Sequence, residues 1–182
     1  FSESAVFILG VYFKIQSFIF MPVFGLNNGL TPVVGYNYGA RSRGRIVALI
    51  RFALEIGVVI MAVGTLLLAL FPHRFLQLFH AESNVLATGV SALRMLSSGF
   101  VFAGVSVILC AAFQAMGASM LSLAVSLSRQ LVLILPAALL LGHFSPRFMW
   151  LCFPIAELLS CLLALLFYRK VYREKLVPMS ER

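Results

Sequence analysis

Glu157 stands inside the apolar run FPIAELLSCLLALLF, three residues after Pro154. A charged carboxylate near the middle of a bilayer costs about 3 kcal/mol or more. A glutamate so placed either handles protons or cations, or sits as a neutral acid bonded to a neighbouring helix. Arg129, in SLSRQLVLI, is the other deep charge. It can bind an anionic group, counter a glutamate or serve backbone carbonyls. Glu55 follows Arg51 by four residues, which is ion-pair spacing on a helix, with the base first and so in the weaker order. Glu55 is a second candidate for proton or cation handling, or one half of a structural pair. A third group is uncharged. MPVFGLNNGLTPVVGYNYGA carries Pro22, Asn27, Thr31, Pro32, Tyr36 and Asn37. Each proline removes a backbone donor, and in a membrane neighbouring helices can take up the freed carbonyls. These residues, with Gln114 further on, are candidates for a hinge and a substrate-cavity wall.

Other chemistries find little support. His73 and His80 lie seven apart and His143 stands alone, which is not a metal-ligand pattern. The three cysteines, Cys110, Cys152 and Cys161, have no metal spacing either and suit apolar packing. There is no aspartate, no HExxH, no GxSxG and no Walker pattern. A membrane hydrolase needs a nucleophile–base pair or a metal cluster. Neither is apparent, so the expectation is a non-enzyme with no cofactor.

The elements that must hold these groups are membrane helices. The chain is 62% hydrophobic and 11% charged over 182 residues, beyond what a soluble domain of this size uses. A bilayer core needs about 20 apolar residues of helix. Five stretches qualify, near 14–38, 46–71, 88–114, 119–142 and 148–168. Strand-like alternation is absent, so the fold class is an all-α polytopic bundle. Residues 72–89 read as an amphipathic surface stretch.

Charge sets the orientation. Arg41, Arg43, Arg45 and Arg51 flank the first turn, and Arg169, Lys170, Arg173, Lys175 and Arg182 follow the last span. The two clusters fall on one side of a five-span chain. Lys14, Arg74, Arg94 and Arg147 fall on the other. The excess of bases places the N-terminus outside, and residues 169–182 in the cytoplasm as a basic tail. The formal charge of +8 is therefore topological, and no soluble face exists to bind nucleic acid. The chain begins at Phe1 with no signal peptide, and reads as the later part of a longer protein.

Within the first span, Gly25, Gly29, Pro32, Tyr36 and Gly39 form one stripe suited to close helix approach. Asn27, Thr31, Gly35 and Tyr38 form a second beside it. In the fourth span Ser122, Ser126, Arg129 and Pro136 share a face.

These residues resemble a known family. Pro22, Gly25 and Leu26, then Pro32 and the run Gly35-Tyr36-Asn37-Tyr38-Gly39-Ala40, then Arg45, are similar to a hallmark of the multidrug and toxic-compound extrusion (MATE) antiporters. Gln114-Ala115-Met116-Gly117, Ser126-Leu127-Ser128-Arg129-Gln130 with Pro136, and Phe153-Pro154-Ile155-Ala156-Glu157 look like that family's tenth, eleventh and twelfth helices. The resemblance covers nearly the whole chain. It implies helices eight to twelve of a twelve-helix transporter, with residues 1–168 a partial C-terminal six-helix lobe. It implies export of organic, often cationic, compounds by alternating access, with a proton or sodium ion as coupling ion. The implied partners are membrane lipid, a small organic substrate and the first lobe of the same chain. One departure matters. Some members carry coupling carboxylates on the seventh and tenth helices, yet no acidic residue occurs between Gly89 and Ser119. Coupling is then expected through first-lobe acids or through Glu157. Two other readings stand beside this one. A lipid-linked-sugar flippase or polysaccharide exporter would line its cavity with more bases. A non-transporting scaffold subunit would function with these five spans alone.

Overall fold

The computed structural model describes residues 3–79, 83–144 and 148–179. His80, Arg147 and Arg182, and the side chain of His143, lie outside the described residues. Five helices are long and apolar enough to cross a membrane: Ser4–Gly39, Arg43–Leu70, Val85–Ala115, Ser119–Leu141 and Met149–Leu176. In finer detail, α1 is Glu3–Gly39, α2 Arg43–Leu70, α3 Pro72–Leu78, α4 Ser83–Ser97 and α5 Phe100–Ala115. Next come α6, Ser119–Leu127, a π-helical segment, Ser128–Ile134, and α7, Leu135–Phe144. A 3-10 turn, Phe148–Leu151, leads into α8, Cys152–Val171, and a final π turn spans Tyr172–Leu176. No strand occurs among the described residues.

Helix α5 is the core, packing against α1, α2, α6 and α8. Small residues permit this. A Cβ on Gly57 would lie 2.2 Å from the Ile108 Cδ1, and one on Gly104 would lie 2.6 Å from the Met61 Cγ. Added methyls there would force the Ile108 and Met61 side chains to shift. Helix α2 buries Ile46, Ile50, Ala53, Gly57, Met61 and Gly64 at helical period. Its opposite face exposes Val59, Val63 and Leu66. Water tolerates such a continuous apolar surface poorly, whereas lipid suits it.

One end of the bundle gathers the bases. The Arg43 guanidinium donates to the Tyr172 hydroxyl and lies 5.1 Å from that ring's centroid. Lys175 Nζ donates to the Met116 carbonyl at 2.9 Å and sits 5.7 Å from the Tyr38 ring. The α1–α2 turn, the α5–α6 turn and the end of α8 therefore meet. The last helix does not stop at 168. It continues through Leu176, because Tyr172, Lys175 and Leu176 all find partners there.

Three further differences from the sequence reading have local causes. First, α1 starts at Glu3 rather than near 14, and buries Ile8, Val11 and Tyr12. Second, the third span is interrupted between α4 and α5. There the Ser97 and Ser98 hydroxyls turn back to the carbonyls of Arg94 and Met95, competing with the helical ladder. Gly99 follows, with room only for hydrogen, because a Cβ would lie 2.9 Å from the Pro154 Cα. Third, the stripe of Gly25, Gly29 and Gly39 faces open space, with Pro32 and Tyr36 exposed beside it. Close packing there is not supplied by the described residues.

Candidate functional site

Helix α1 runs unbroken through Pro22 and Pro32. Its second polar stripe, not the glycine stripe, turns toward the core. Asn27 Nδ2 donates to the Val107 carbonyl of α5 at 3.4 Å. Gly35 approaches the Ala115 carbonyl, which would lie 3.6 Å from an added Cβ. Thr31 donates to its own helix at Asn27 O, at 2.8 Å. Asn28 loses the helical donor to its carbonyl at Pro32.

Opposite this stripe runs the fourth span, locally distorted. Pro136 cannot donate to the Val132 carbonyl, and the wide π turn of Ser128–Ile134 lies immediately before it. Such turns re-aim side chains and recur at functional sites. Arg129 lies in this segment. Its Nη1 donates to Glu157 Oε2 of α8 at 3.4 Å. The two side chains are 25% and 13% exposed, so the pair is mostly shielded. Gly99 brings α5 against α8 at Pro154 and places the Glu157 Cβ and Cγ 3.4 Å from an added methyl. The break between α4 and α5 thus sits against the aliphatic stem of Glu157.

Two cavities flank the pair. One, of about 280 Å³, is lined by Asn27, Asn28, Thr31, Gln114, Ser126 and Arg129, among others. At its wall Gln114 Nε2 donates to the Ser122 hydroxyl at 2.9 Å, and the Asn27 Oδ1 is buried without a partner among the described residues. The other, of about 590 Å³, has an aromatic wall of Phe13, Phe20, Phe24 and Phe153. Gln16, Ser17, Gln130, Arg129 and Glu157 give it polar points. Phe24, Val107 and Arg129 belong to both. The result is one trough between α1 and the fourth span, with amides and hydroxyls at one end, phenyl rings at the other and an ion pair at the junction.

The structure therefore brings Asn27, Thr31, Gln114, Arg129 and Glu157 together. It does not bring the other candidates there. Tyr36 and Asn37 line a separate groove of about 450 Å³ against α2. Pro22 and Pro32 are exposed on α1. Glu55 pairs with Arg51 at 2.9 Å on the outer face of α2, where the side chains are 60% and 80% exposed. Gln16, Ser17 and Asn28 went unselected in the sequence. Adjacency within the largely apolar first half of α1 is the available signal for Gln16 and Ser17. The phenyl rings gave none, because aromatic residues recur throughout the chain.

Comparison with known proteins gives a consistent picture. The MatE family model matches residues 1–140. The probable multidrug resistance protein YoeA of Bacillus subtilis is 24% identical over 178 residues, covering 96% of this chain and 38% of its own length. The MATE multidrug transporter DinF-BH, solved as a complex, superposes with a TM-score of 0.82 at 32% identity, over 93% of this chain and 38% of that one. The Vibrio cholerae MATE transporter VcmN, in its bent form, superposes with a TM-score of 0.91 at 20% identity, over 99% of this chain and 41% of that one. The chain thus spans about two-fifths of the length of each of these relatives.

Proposed function

From the membership of this chain in the MatE family, we propose that it forms part of the second lobe of a transporter that exports drugs or other organic, often cationic, compounds by cation-coupled antiport. The observation that carries this reading is the trough. It is open between α1 and the fourth span, holds a shielded arginine–glutamate pair, and combines an aromatic wall with amide and hydroxyl groups. Mostly apolar pockets with a few convergent polar groups are the usual form of small-molecule sites. In this reading the open glycine stripe of α1 faces the first lobe, and lipid covers α2.

Orientation follows from charge. The basic end, where Arg43 and Lys175 tie the turns together, is the cytoplasmic one. The N-terminal end of α1 is then outside. The coupling ion is a proton or sodium. Glu157 is the acid of this lobe that lines the trough, and its pairing with Arg129 favours holding substrate over carrying a proton. On that account coupling rests chiefly on acids of the first lobe. Only one intramembrane base lines the trough among the described residues, which favours drug export over passage of lipid-linked sugars.

The test is transport by the full-length protein in proteoliposomes. A fluorescent organic cation should move when a proton or a sodium gradient is imposed, and stop when that gradient is collapsed. Equal movement with and without either gradient would overturn the antiport reading.

A further inference from the structure

We propose that the groove between α1 and α2 at the basic end of the bundle binds one anionic phospholipid of the phosphatidylglycerol type, with its phosphate on Arg45 and an acyl chain laid along α2. The site lies apart from the trough. It takes from the export reading only the assignment of the basic end to the cytoplasmic leaflet.

The first argument is charge. Arg41 and Arg45 are exposed around the turn that joins α1 to α2. Their neighbour Arg43 is tied to Tyr172, and Arg51 to Glu55. The Arg41 and Arg45 guanidinium groups donate to nothing among the described residues. Helix α2 has no acid in its first turn, and Ser42 ahead of it makes no side-chain cap. The positive end of the helix dipole and two arginines therefore meet without a counter-charge among the described residues. Lipid phosphate is the anion that the cytoplasmic leaflet supplies there.

The second argument is shape. The groove holds about 450 Å³, and Arg45 and Asn37 share its lining with Val33, Tyr36, Leu49 and Phe52. Beyond it the same face of α2 stays apolar and exposed at Val59 and Val63. From Arg45 to Val59 the helix rises about 21 Å, against about 15 Å for the hydrocarbon of one leaflet. An acyl chain therefore finds continuous apolar surface from its headgroup to the bilayer centre. A free phosphate ion uses the arginines alone and leaves the groove empty.

The third argument is an unmet acceptor. Asn37 is only 7% exposed. Its Nδ2 donates to the Val33 carbonyl at 2.8 Å, and its Oδ1 is buried without a partner among the described residues. A buried acceptor left so is costly. Phosphate oxygens cannot answer it, because they only accept, whereas the hydroxyls of a glycerol headgroup donate. Tyr36, exposed beside Asn37, offers its own hydroxyl to the phosphate.

The experiment is native mass spectrometry of the full-length protein in detergent, titrated with dioleoyl-phosphatidylglycerol or dioleoyl-phosphatidylcholine. The first phosphatidylglycerol should bind about tenfold more tightly than the first phosphatidylcholine. Arg45→Gln should weaken phosphatidylglycerol by about fivefold, the scale of one basic side chain at an anionic lipid surface, and leave phosphatidylcholine as it is. Ala48→Trp fills the groove without changing charge and should weaken phosphatidylglycerol by a similar factor. Arg45 and Ala48 are both exposed, so neither change removes core packing. Arg169→Gln, an exposed base at the same end but off the groove, should have no effect. Glycerophosphoglycerol, the headgroup without its chains, should not displace the lipid at millimolar concentration. Equal binding of the two lipids by the unaltered protein overturns the proposal. So does a loss in Arg169→Gln as large as that in Arg45→Gln, which marks a diffuse charge effect. Displacement by glycerophosphoglycerol overturns it in favour of a plain anion site. Phosphatidylglycerol binding unmoved by both Arg45→Gln and Ala48→Trp overturns it as well, and fits a groove covered by the first lobe.

Discussion

Arg51–Glu55 and Arg129–Glu157 are built from the same two side chains in opposite settings. The first pair is four residues apart on one helix, 2.9 Å between its atoms and largely exposed. The second is 28 residues apart, joins two helices, is longer at 3.4 Å and mostly shielded. By distance alone the first looks stronger. Its solvent or headgroup surroundings nonetheless reduce it to a few tenths of a kcal/mol. The second gains from its shielding only while both charges are present, because either one alone is left stranded. The difference teaches that surroundings, not separation, decide which pair matters for stability and for the trough.

The comparison can be broken most directly by removing one charge. Arg129→Gln should destabilise the full-length protein by about 2–3 kcal/mol, somewhat below the figure for a fully buried pair because both groups are partly exposed. Adding Glu157→Gln should recover much of the loss, and a double-mutant cycle by chemical denaturation in detergent reads the coupling. Additive losses would show that the two groups act independently.

The next effect sharpens the comparison from behind. Gly99→Val places side-chain atoms where the Pro154 Cα already stands. Forced apart, α5 and α8 should lose about 1–3 kcal/mol, and Glu157 should shift relative to Arg129. Full stability together with full transport would contradict the role given to Gly99.

Pro32→Ala restores a helical donor to the Asn28 carbonyl at the polar cavity. Transport should fall several-fold while membrane insertion stays nearly intact, as checked by accessibility labelling of the two ends. Unchanged transport in correctly inserted protein removes the hinge from the account. Smallest of all, Arg51→Gln or Glu55→Gln should change stability by no more than about 0.5 kcal/mol, measured in the same denaturation series.

Much of this was legible in the sequence where the signal is local or repeats. Apolar length gave five crossings, and the run Gly35–Ala40 with the segment around Arg129, both inside the matched residues 1–140, gave the family. Asn27, Thr31, Gln114, Arg129 and Glu157 were each selectable as polar groups in apolar surroundings. What was not legible is tertiary. Spacing four picked out Arg51–Glu55 immediately, but no period links Arg129 to Glu157. The π turn depends on how the helix accommodates Pro136. The glycine stripe of α1 reads as a contact face by composition, yet within the described residues it meets nothing. The second stripe, alike in pattern, packs on α5 through Asn27 and Gly35. Helical periodicity says which residues share a face, but not which face finds a neighbour.

The measurement that bears most directly on the Arg129–Glu157 pair is substrate transport by the full-length protein across a range of pH, with Glu157→Gln and Glu55→Gln side by side. The account predicts that Glu157→Gln lowers the rate by about tenfold or more at every pH, while Glu55→Gln stays within about twofold. An unchanged rate and an unchanged pH profile for Glu157→Gln would contradict it, and would leave the pair a packing element of the bundle.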